Sequence, residues 1–254
     1  MKKICVFAGT TEGRKLVEFL SAQECLVTGC VATEYGRALI APAQNLTVLN
    51  EWLDDAQMEE LFRSRGFDLV VDATHPYARV VTENIVQACR RSGTEYLRLL
   101  REESEVAGGA VCVPDIAAAV EFLNQNEGNI LLTTGSKELH LYTGIRDFAD
   151  RVYARVLPMQ ASLSACEEAG LKAGHIIAVQ GPFTEEMNIA MMRSVQASFL
   201  VTKDGGSAGG FDDKAGAADK AGAKLVVIGR PPQPEGLNFS DVLTLFKERY
   251  GFFR

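Results

Sequence analysis

Several short segments of the chain concentrate groups able to hold an anion or move a proton. The first is Ala8-Gly9-Thr10-Thr11-Glu12-Gly13-Arg14, which follows the apolar run Ile4-Cys5-Val6-Phe7 and opens onto an amphipathic stretch. A strand-to-helix turn offers unpaired backbone N–H groups at the positive end of a helix dipole, a setting that suits phosphate. The segment is neither the G-x-G-x-x-G fingerprint nor a Walker A loop, because Gly9 and Gly13 stand four apart and no Lys-Ser/Thr pair accompanies Arg14. An ordinary tight turn would use the same two glycines. Roughly twenty residues on, where a dinucleotide fold reads the ribose, stands Thr33-Glu34-Tyr35-Gly36-Arg37. Arg37 can pair with a 2′-phosphate, whereas Glu34 can accept a ribose hydroxyl; Arg37 is favoured, and with it NADPH.

The second segment is Val71-Asp72-Ala73-Thr74-His75-Pro76-Tyr77-Ala78. It sets polar groups at the carboxyl end of a strand, where open α/β sheets bind ligands. His75 can donate to a ligand or shuttle a proton, and Tyr77 can stack or donate. A lone histidine is more often structural, but a strand-end position between Thr74 and Pro76 points to function. In the second half, Leu132-Thr133-Thr134-Gly135-Ser136-Lys137 repeats the order of strand, small polar turn and helix start, and Gln180-Gly181-Pro182-Phe183 follows a later strand. The longest glycine-rich stretch runs Lys203-Asp204-Gly205-Gly206-Ser207-Ala208-Gly209-Gly210. Such a loop can bring its backbone close to a ligand, though a surface loop of the same composition needs none.

Alternating β-branched runs and amphipathic stretches must position these turns, the pattern of βαβ units and a parallel sheet. Strands are expected at Lys3–Ala8, Cys25–Ala32, Leu46–Leu49, Phe67–Ala73 and Tyr96–Leu100, with helices at Gly13–Ser21, Asp54–Arg65 and Val80–Arg91. A strand at Ala110–Val113 can belong to either half. Further strands are expected at Ile130–Thr134, Val152–Leu157, Ile176–Val179, Phe199–Thr202 and Leu225–Ile228, a helix runs from Asp115 to Leu123, and a last helix covers Ser240–Arg249. Charged and glycine-rich residues between Glu102 and Pro114 mark a junction, dividing the chain into 1–108 and 109–254.

At 254 residues, 47% hydrophobic and 23% charged, the chain can bury a full core and is not compositionally disordered. A net charge of −7 argues against a nucleic-acid binder. It leaves room for a small anion held by a local group of cations. The opening apolar run is too short for a membrane span or secretory core, so a cytoplasmic location and no membrane partner are expected. Six scattered cysteines without a C-x-x-C pair read as reduced, buried thiols with no metal site.

Together these segments resemble the precorrin-6A reductase family, including the cobalt-precorrin-6A reductases. The resemblance rests on Gly9 to Arg14, Asp72 to Ala78, Tyr96-Leu97-Arg98-Leu99-Leu100-Arg101, Thr133 to Lys137, Arg155-Val156-Leu157-Pro158, Gln180 to Phe183 and Thr202-Lys203-Asp204, which occur in family order across nearly the whole chain. One departure stands out: the family usually reads Lys-Asp/Asn-Ser-Gly where this chain has Lys203-Asp204-Gly205-Gly206, which puts a serine role at position 205 in doubt.

The resemblance implies an α/β protein of two Rossmann-like domains with parallel sheets and a ligand cleft between them. In that cleft NADPH would reduce a ring double bond of precorrin-6A or cobalt-precorrin-6A in cobalamin biosynthesis. Gly9, Thr10, Thr11, Glu12, Gly13, Arg14, Arg37, Thr74 and Lys203 would contact the cofactor. Arg79, Arg98, Arg101, Ser136, Lys137 and Arg230 would meet the acetate and propionate arms of the tetrapyrrole. His75, Tyr77 and Asp204 are the candidate proton donors, with solvent as the alternative. The chain would act as a monomer or small homo-oligomer. Two rival readings remain: an NADP(H)-dependent reductase of another substrate, and a non-catalytic NADP(H)-sensing module.

Overall fold

Strands buried on both faces need apolar residues at every position rather than at alternate ones. Ile4, Cys5 and Val6 meet that condition, all three being fully buried. In a computed structural model, which describes residues 1–101, 109–205 and 210–253, they form the centre of the first of two parallel sheets. The elements run β1 (Lys2–Phe7), α1 (Thr11–Ser21), β2 (Cys25–Cys30), α2 (Glu34–Ala38), β3 (Leu46–Leu49), α3 (Asp55–Arg65), β4 (Leu69–Asp72), α4 (Arg79–Ser92) and β5 (Glu95–Arg98). The strand order is β3-β2-β1-β4-β5. Successive β1 side chains alternate between two cores: Ile4 and Val6 pack with Leu16, Leu20 and Leu69, while Cys5 and Phe7 pack with Met58, Phe62 and Ile85.

Local chemistry sets the helix ends. Asp54 accepts from the Gln57 amide while the Gln57 side chain accepts from the Asp54 amide, closing a capping box at the start of α3. Gly66 ends the same helix at φ 62, a left-handed conformation that glycine adopts without steric cost. The stretch Thr33–Arg37, read from sequence as a ribose-facing segment, contains the short helix α2, capped by the Thr33 hydroxyl.

The second sheet is built from β6 (Val111–Val113), α5 (Ile116–Asn124), β7 (Asn129–Leu132), α6 (Phe148–Arg151), β8 (Val152–Val156), α7 (Gln160–Glu168), β9 (Ile176–Ala178), α8 (Glu185–Ser194), β10 (Ala197–Lys203), α9 (Phe211–Ala221) and β11 (Lys224–Ile228). Its order is β6-β11-β10-β7-β8-β9. The strand of undecided allegiance is therefore β6, paired with β11 in the second sheet. Cys112, on this edge strand, is exposed, unlike the other cysteines. Residues 102–108 of the expected junction and 206–209 of the glycine-rich loop lie outside the described residues.

The expected division at residue 108 is corrected at the carboxyl-terminal end. One unit comprises Met1–Glu102 and Pro232–Arg254, and the other Glu103–Pro231. The last helix, α10 (Phe239–Tyr250), puts Val242 and Phe246 at i and i+4, and both are fully buried in the core of the first sheet. The returning chain is stitched to β5: the Leu100 amide donates to the Leu237 carbonyl at 2.8 Å, and the Leu237 amide donates to the Arg98 carbonyl at 3.0 Å. Gly236 permits that approach, since a Cβ there would lie 2.5 Å from the Arg98 carbonyl oxygen.

Phe246→Ala should therefore destabilise the first unit by about 3–5 kcal/mol, although position 246 is remote from that unit in sequence. Urea unfolding followed by a probe in the first unit checks it, and an unchanged midpoint would show that α10 contributes no core.

Candidate functional site

Strand order places a topological switch between β1 and β4, where consecutive connections depart in opposite directions along the sheet. The two turns predicted to carry chemistry emerge there side by side. A Cβ on Gly9 would stand 3.2 Å from Thr74 Cα, and one on Gly13 would stand 2.9 Å from both Ala8 Cα and Ala73 Cβ. Thr10 ties the turns together, accepting from the Gly13 amide at 3.1 Å and donating to the Ala73 carbonyl at 3.0 Å. Thr11 accepts from Arg14 Nη2 at 3.2 Å. Glu12, the acidic residue in the first turn of α1, is paired with Arg101 Nε at 3.1 Å, which neutralises a charge that would oppose an anion there.

The second turn is held by a buried ion pair. Arg98 Nη1 lies 2.6 Å from Asp72 Oδ1, with side chains 1% and 0% exposed. Asp72 also accepts from the Thr74 amide at 3.0 Å and the Tyr96 hydroxyl at 3.1 Å. Arg98 donates to Thr74 Oγ1 at 3.0 Å, to the Thr74 carbonyl at 3.1 Å and to Gln233 Oε1 at 2.9 Å. Gln233 in turn donates to the Pro76 carbonyl at 2.8 Å. Burial first, then the neighbouring Asp72 charge, push the Tyr96 hydroxyl well above its ordinary range, so Tyr96 serves as a donor and not as an acid.

This geometry corrects two expectations. Arg98 does not present a cation to substrate, because its guanidinium is sealed and neutralised by Asp72. Thr74 does not offer its hydroxyl to a cofactor, because that oxygen is buried between Arg98 and Thr82. Both act by holding the turn that carries His75 and Tyr77. Those two rings are half-buried, with centroids 5.5 Å apart and planes tilted by 30°. The Tyr77 amide points at His75 Nδ1 over 3.4 Å, a contact that favours the proton on Nε2. Arg37 is exposed on α2, and Glu34 accepts from Asn50 Nδ2 at 2.6 Å. Arg79 is exposed and lies 3.8 Å from Glu83.

The second sheet has its own switch, between β7 and β10. There the structure brings Lys203 into an ion pair with Glu138, and Ser136 donates to the buried Ser162 at 3.2 Å. Lys137 is exposed. Arg230 Nε lies 2.9 Å from Asp204 Oδ2, and its Nη2 donates to Asp204 Oδ1 at 3.2 Å. Asp204 was expected as a proton donor and Arg230 as a substrate cation, but each is engaged by the other. Lys203, expected at the cofactor, is likewise partnered within its own unit. Thr134 Oγ1 is buried and has no hydrogen-bond partner among the described residues.

Sequence reasoning missed three groups: Gln233, which reaches the site from the returning segment, and Arg155 and Lys214 in the second unit. A signal existed for Arg155, as for Arg98, in a guanidinium placed inside an otherwise apolar strand. Burial lowers Arg155 to about 10. Burial, then the charge of Arg155, lower the Lys214 amine to about 8.

The precorrin-6x reductase family model, CbiJ/CobK, matches residues 3–247. A cobalt-precorrin-6A reductase of Methanothermobacter thermautotrophicus is 33% identical over 237 residues, spanning 90% of this chain and 76% of that protein. Another, of Priestia megaterium, is 30% identical and spans 96% and 95% of the two chains. Among solved structures, a CobK precorrin-6A reductase aligns with a TM-score of 0.78 at 24% identity over the whole of both chains, a likeness of fold.

Asp72→Asn leaves the Arg98 cation buried without its counter-charge and should cost about 3–5 kcal/mol in chemical denaturation; a loss below about 1 kcal/mol would mean that water reaches the pair. Competitive acetylation read by mass spectrometry should give Lys214 an inflection near pH 8, because the neutral amine is the reactive form. Lys214 titrating with the other lysines would contradict its burial beside Arg155.

Proposed function

Since the chain belongs to the precorrin-6x reductase family, we propose that it reduces a ring double bond of cobalt-precorrin-6A, or of its metal-free counterpart precorrin-6A, with hydride from NADPH. The observation that carries this reading is the family match along residues 3–247. An oxidoreductase of this class acts on a carbon–carbon double bond and needs a nicotinamide as its reductant. The cobalt belongs to the substrate, so the protein supplies no ligand for it.

The first unit fits the dinucleotide. Gly13 leaves no room for a Cβ and Gly9 leaves it little, and the first-turn amides of α1 include helical N–H groups without an intrahelical partner. Gly9, Thr10, Thr11, Glu12, Gly13 and Arg14 would hold the phosphates, with the Glu12 charge balanced by Arg101. Arg37, exposed beyond β2, would read the 2′-phosphate. Bound NADPH supplies the hydride, leaving orientation and charge to the protein. The Asp72–Arg98 pair and Gln233 hold the Thr74–Pro76 backbone, so that His75 is presented with a restricted ring and a protonated Nε2. His75 in its imidazolium form, which gives up the Nε2 proton and is left as neutral imidazole, is the proposed proton source, with Tyr77 beside it. Lys137, Ser136 and Arg79 are the proposed contacts for carboxylate arms of the macrocycle.

Under anaerobic conditions, loss of NADPH absorbance should match the spectral change of the macrocycle mole for mole; no change with either form of the substrate would end the corrinoid reading. Arg37→Ala should raise KM for NADPH about tenfold or more while leaving the weaker NADH reaction unaltered. His75→Ala should lower kcat by about 100-fold, and an unaltered kcat would assign protonation to solvent.

A further inference from the structure

Arg155 is the next-to-last residue of β8, between the buried Ala154 and Val156. Only 7% of the residue is exposed. Its guanidinium lies over the Phe183 ring, 4.0 Å from the centroid. Nη1 donates to Asn188 Oδ1 at 2.7 Å and touches Met191 Sδ at 3.7 Å. Both contacts are neutral, and both fall on one nitrogen.

The chain's other strand-end arginines are treated differently: Arg98, Arg101 and Arg230 each have a carboxylate within 3.1 Å. Arg155 has none among the described residues. Its Nε and Nη2 have no hydrogen-bond partner there either, yet they are absent from the polar atoms sealed off from solvent. That edge of the guanidinium is the fork that takes two oxygens of one anion. Lys214, in the first turn of α9, sits close enough for the Arg155 charge to depress its amine. The repulsion between Arg155 and Lys214 is opposed by the Asp213 carboxylate on the Lys214 side, while Arg155 itself has no carboxylate among the described residues, so an anion on the Arg155 edge relieves it. The Gln180–Phe183 turn gains a role as well: a Cβ on Gly181 would lie 2.9 Å from the Phe183 ring, so glycine lets that ring cover Arg155.

We infer that the Nε/Nη2 edge of Arg155, with Lys214 beside it and Phe183 beneath, is an anion subsite that takes the paired oxygens of a carboxylate or phosphate. On the reductase reading, on which this source assignment rests, the anion is an acetate or propionate arm of the macrocycle; a phosphate of the dinucleotide is the other source.

The test begins with the unaltered chain. Treatment with p-hydroxyphenylglyoxal followed by peptide mass spectrometry should find Arg155 modified, and cobyrinic acid, a corrinoid polycarboxylate, should suppress that modification at least fivefold. Protection by NADPH and inorganic phosphate instead keeps the subsite and assigns it to the nucleotide. An Arg155 that resists modification without ligand, or reacts equally with all three present, overturns the inference. In Arg155→Gln, cobyrinic acid affinity should fall tenfold or more while NADPH affinity stays within twofold, and Arg155→Lys should restore part of the loss. Unaltered affinity for both ligands in a folded Arg155→Gln also overturns it. Turnover of cobalt-precorrin-6A by the unaltered chain tests the reductase reading separately, since Arg155 protection by cobyrinic acid without turnover would keep the subsite and remove that reading.

Discussion

A guanidinium sealed from water is tolerable only where neighbouring groups replace its hydration, and the carboxyl edge of the first sheet is arranged around that requirement, with a counter-charge and hydrogen-bond acceptors. Asp72 ends β4 and Arg98 ends β5, and parallel register sets them directly opposite each other. Their pairing consumes the strongest charges at that edge and fixes the backbone immediately beyond it. Tyr96 and the Thr74 amide donate to Asp72 and complete its shell, while Gln233 extends the guanidinium's reach to the Pro76 carbonyl. The backbone on either side of His75 is thus held by that charge pair, directly at Thr74 and by way of Gln233 at the Pro76 carbonyl.

The second unit meets the same requirement in more than one way. Arg230 and Lys203 each lie against a carboxylate, at Asp204 and Glu138, so their charges shape loops. Arg155 is stabilised by an aromatic face and an amide instead, an arrangement that leaves its positive charge unbalanced. A chain of net charge −7 thus still carries a nearly buried guanidinium with no carboxylate beside it among the described residues. What matters is which cations lack an internal carboxylate, and the total does not report that.

Much of the fold was legible because apolar runs such as Ile4–Phe7 and Leu225–Ile228 admit few alternatives in an α/β chain. Asp54, Gly66 and Gly93 punctuate helices by local chemistry alone. The site was legible in part: the turns at Gly9 and Thr74 do meet, since both lie at strand ends beside the switch. The ion pairs of Arg98, Asp204 and Arg230 were not legible, because spacing along the chain does not say whether a charged side chain finds an opposite charge across the sheet. Gln233 was out of reach, being 157 positions from Pro76. The last helix was legible as a helix, but its place in the first unit was not, because its docking surface is formed by residues far away in the sequence.

That return of residues 232–254 to the first unit has a consequence for biosynthesis. The second unit is encoded without interruption, whereas the first is split around it. As the chain leaves the ribosome, the second unit can close while the first still lacks Val242, Phe246 and Phe252, and the apolar face that receives them stays open until residues 232–254 have emerged. The Asp72–Arg98 network likewise waits for Gln233. Between residues 1 and 254, the unit entered first is thus completed only after the other has been passed.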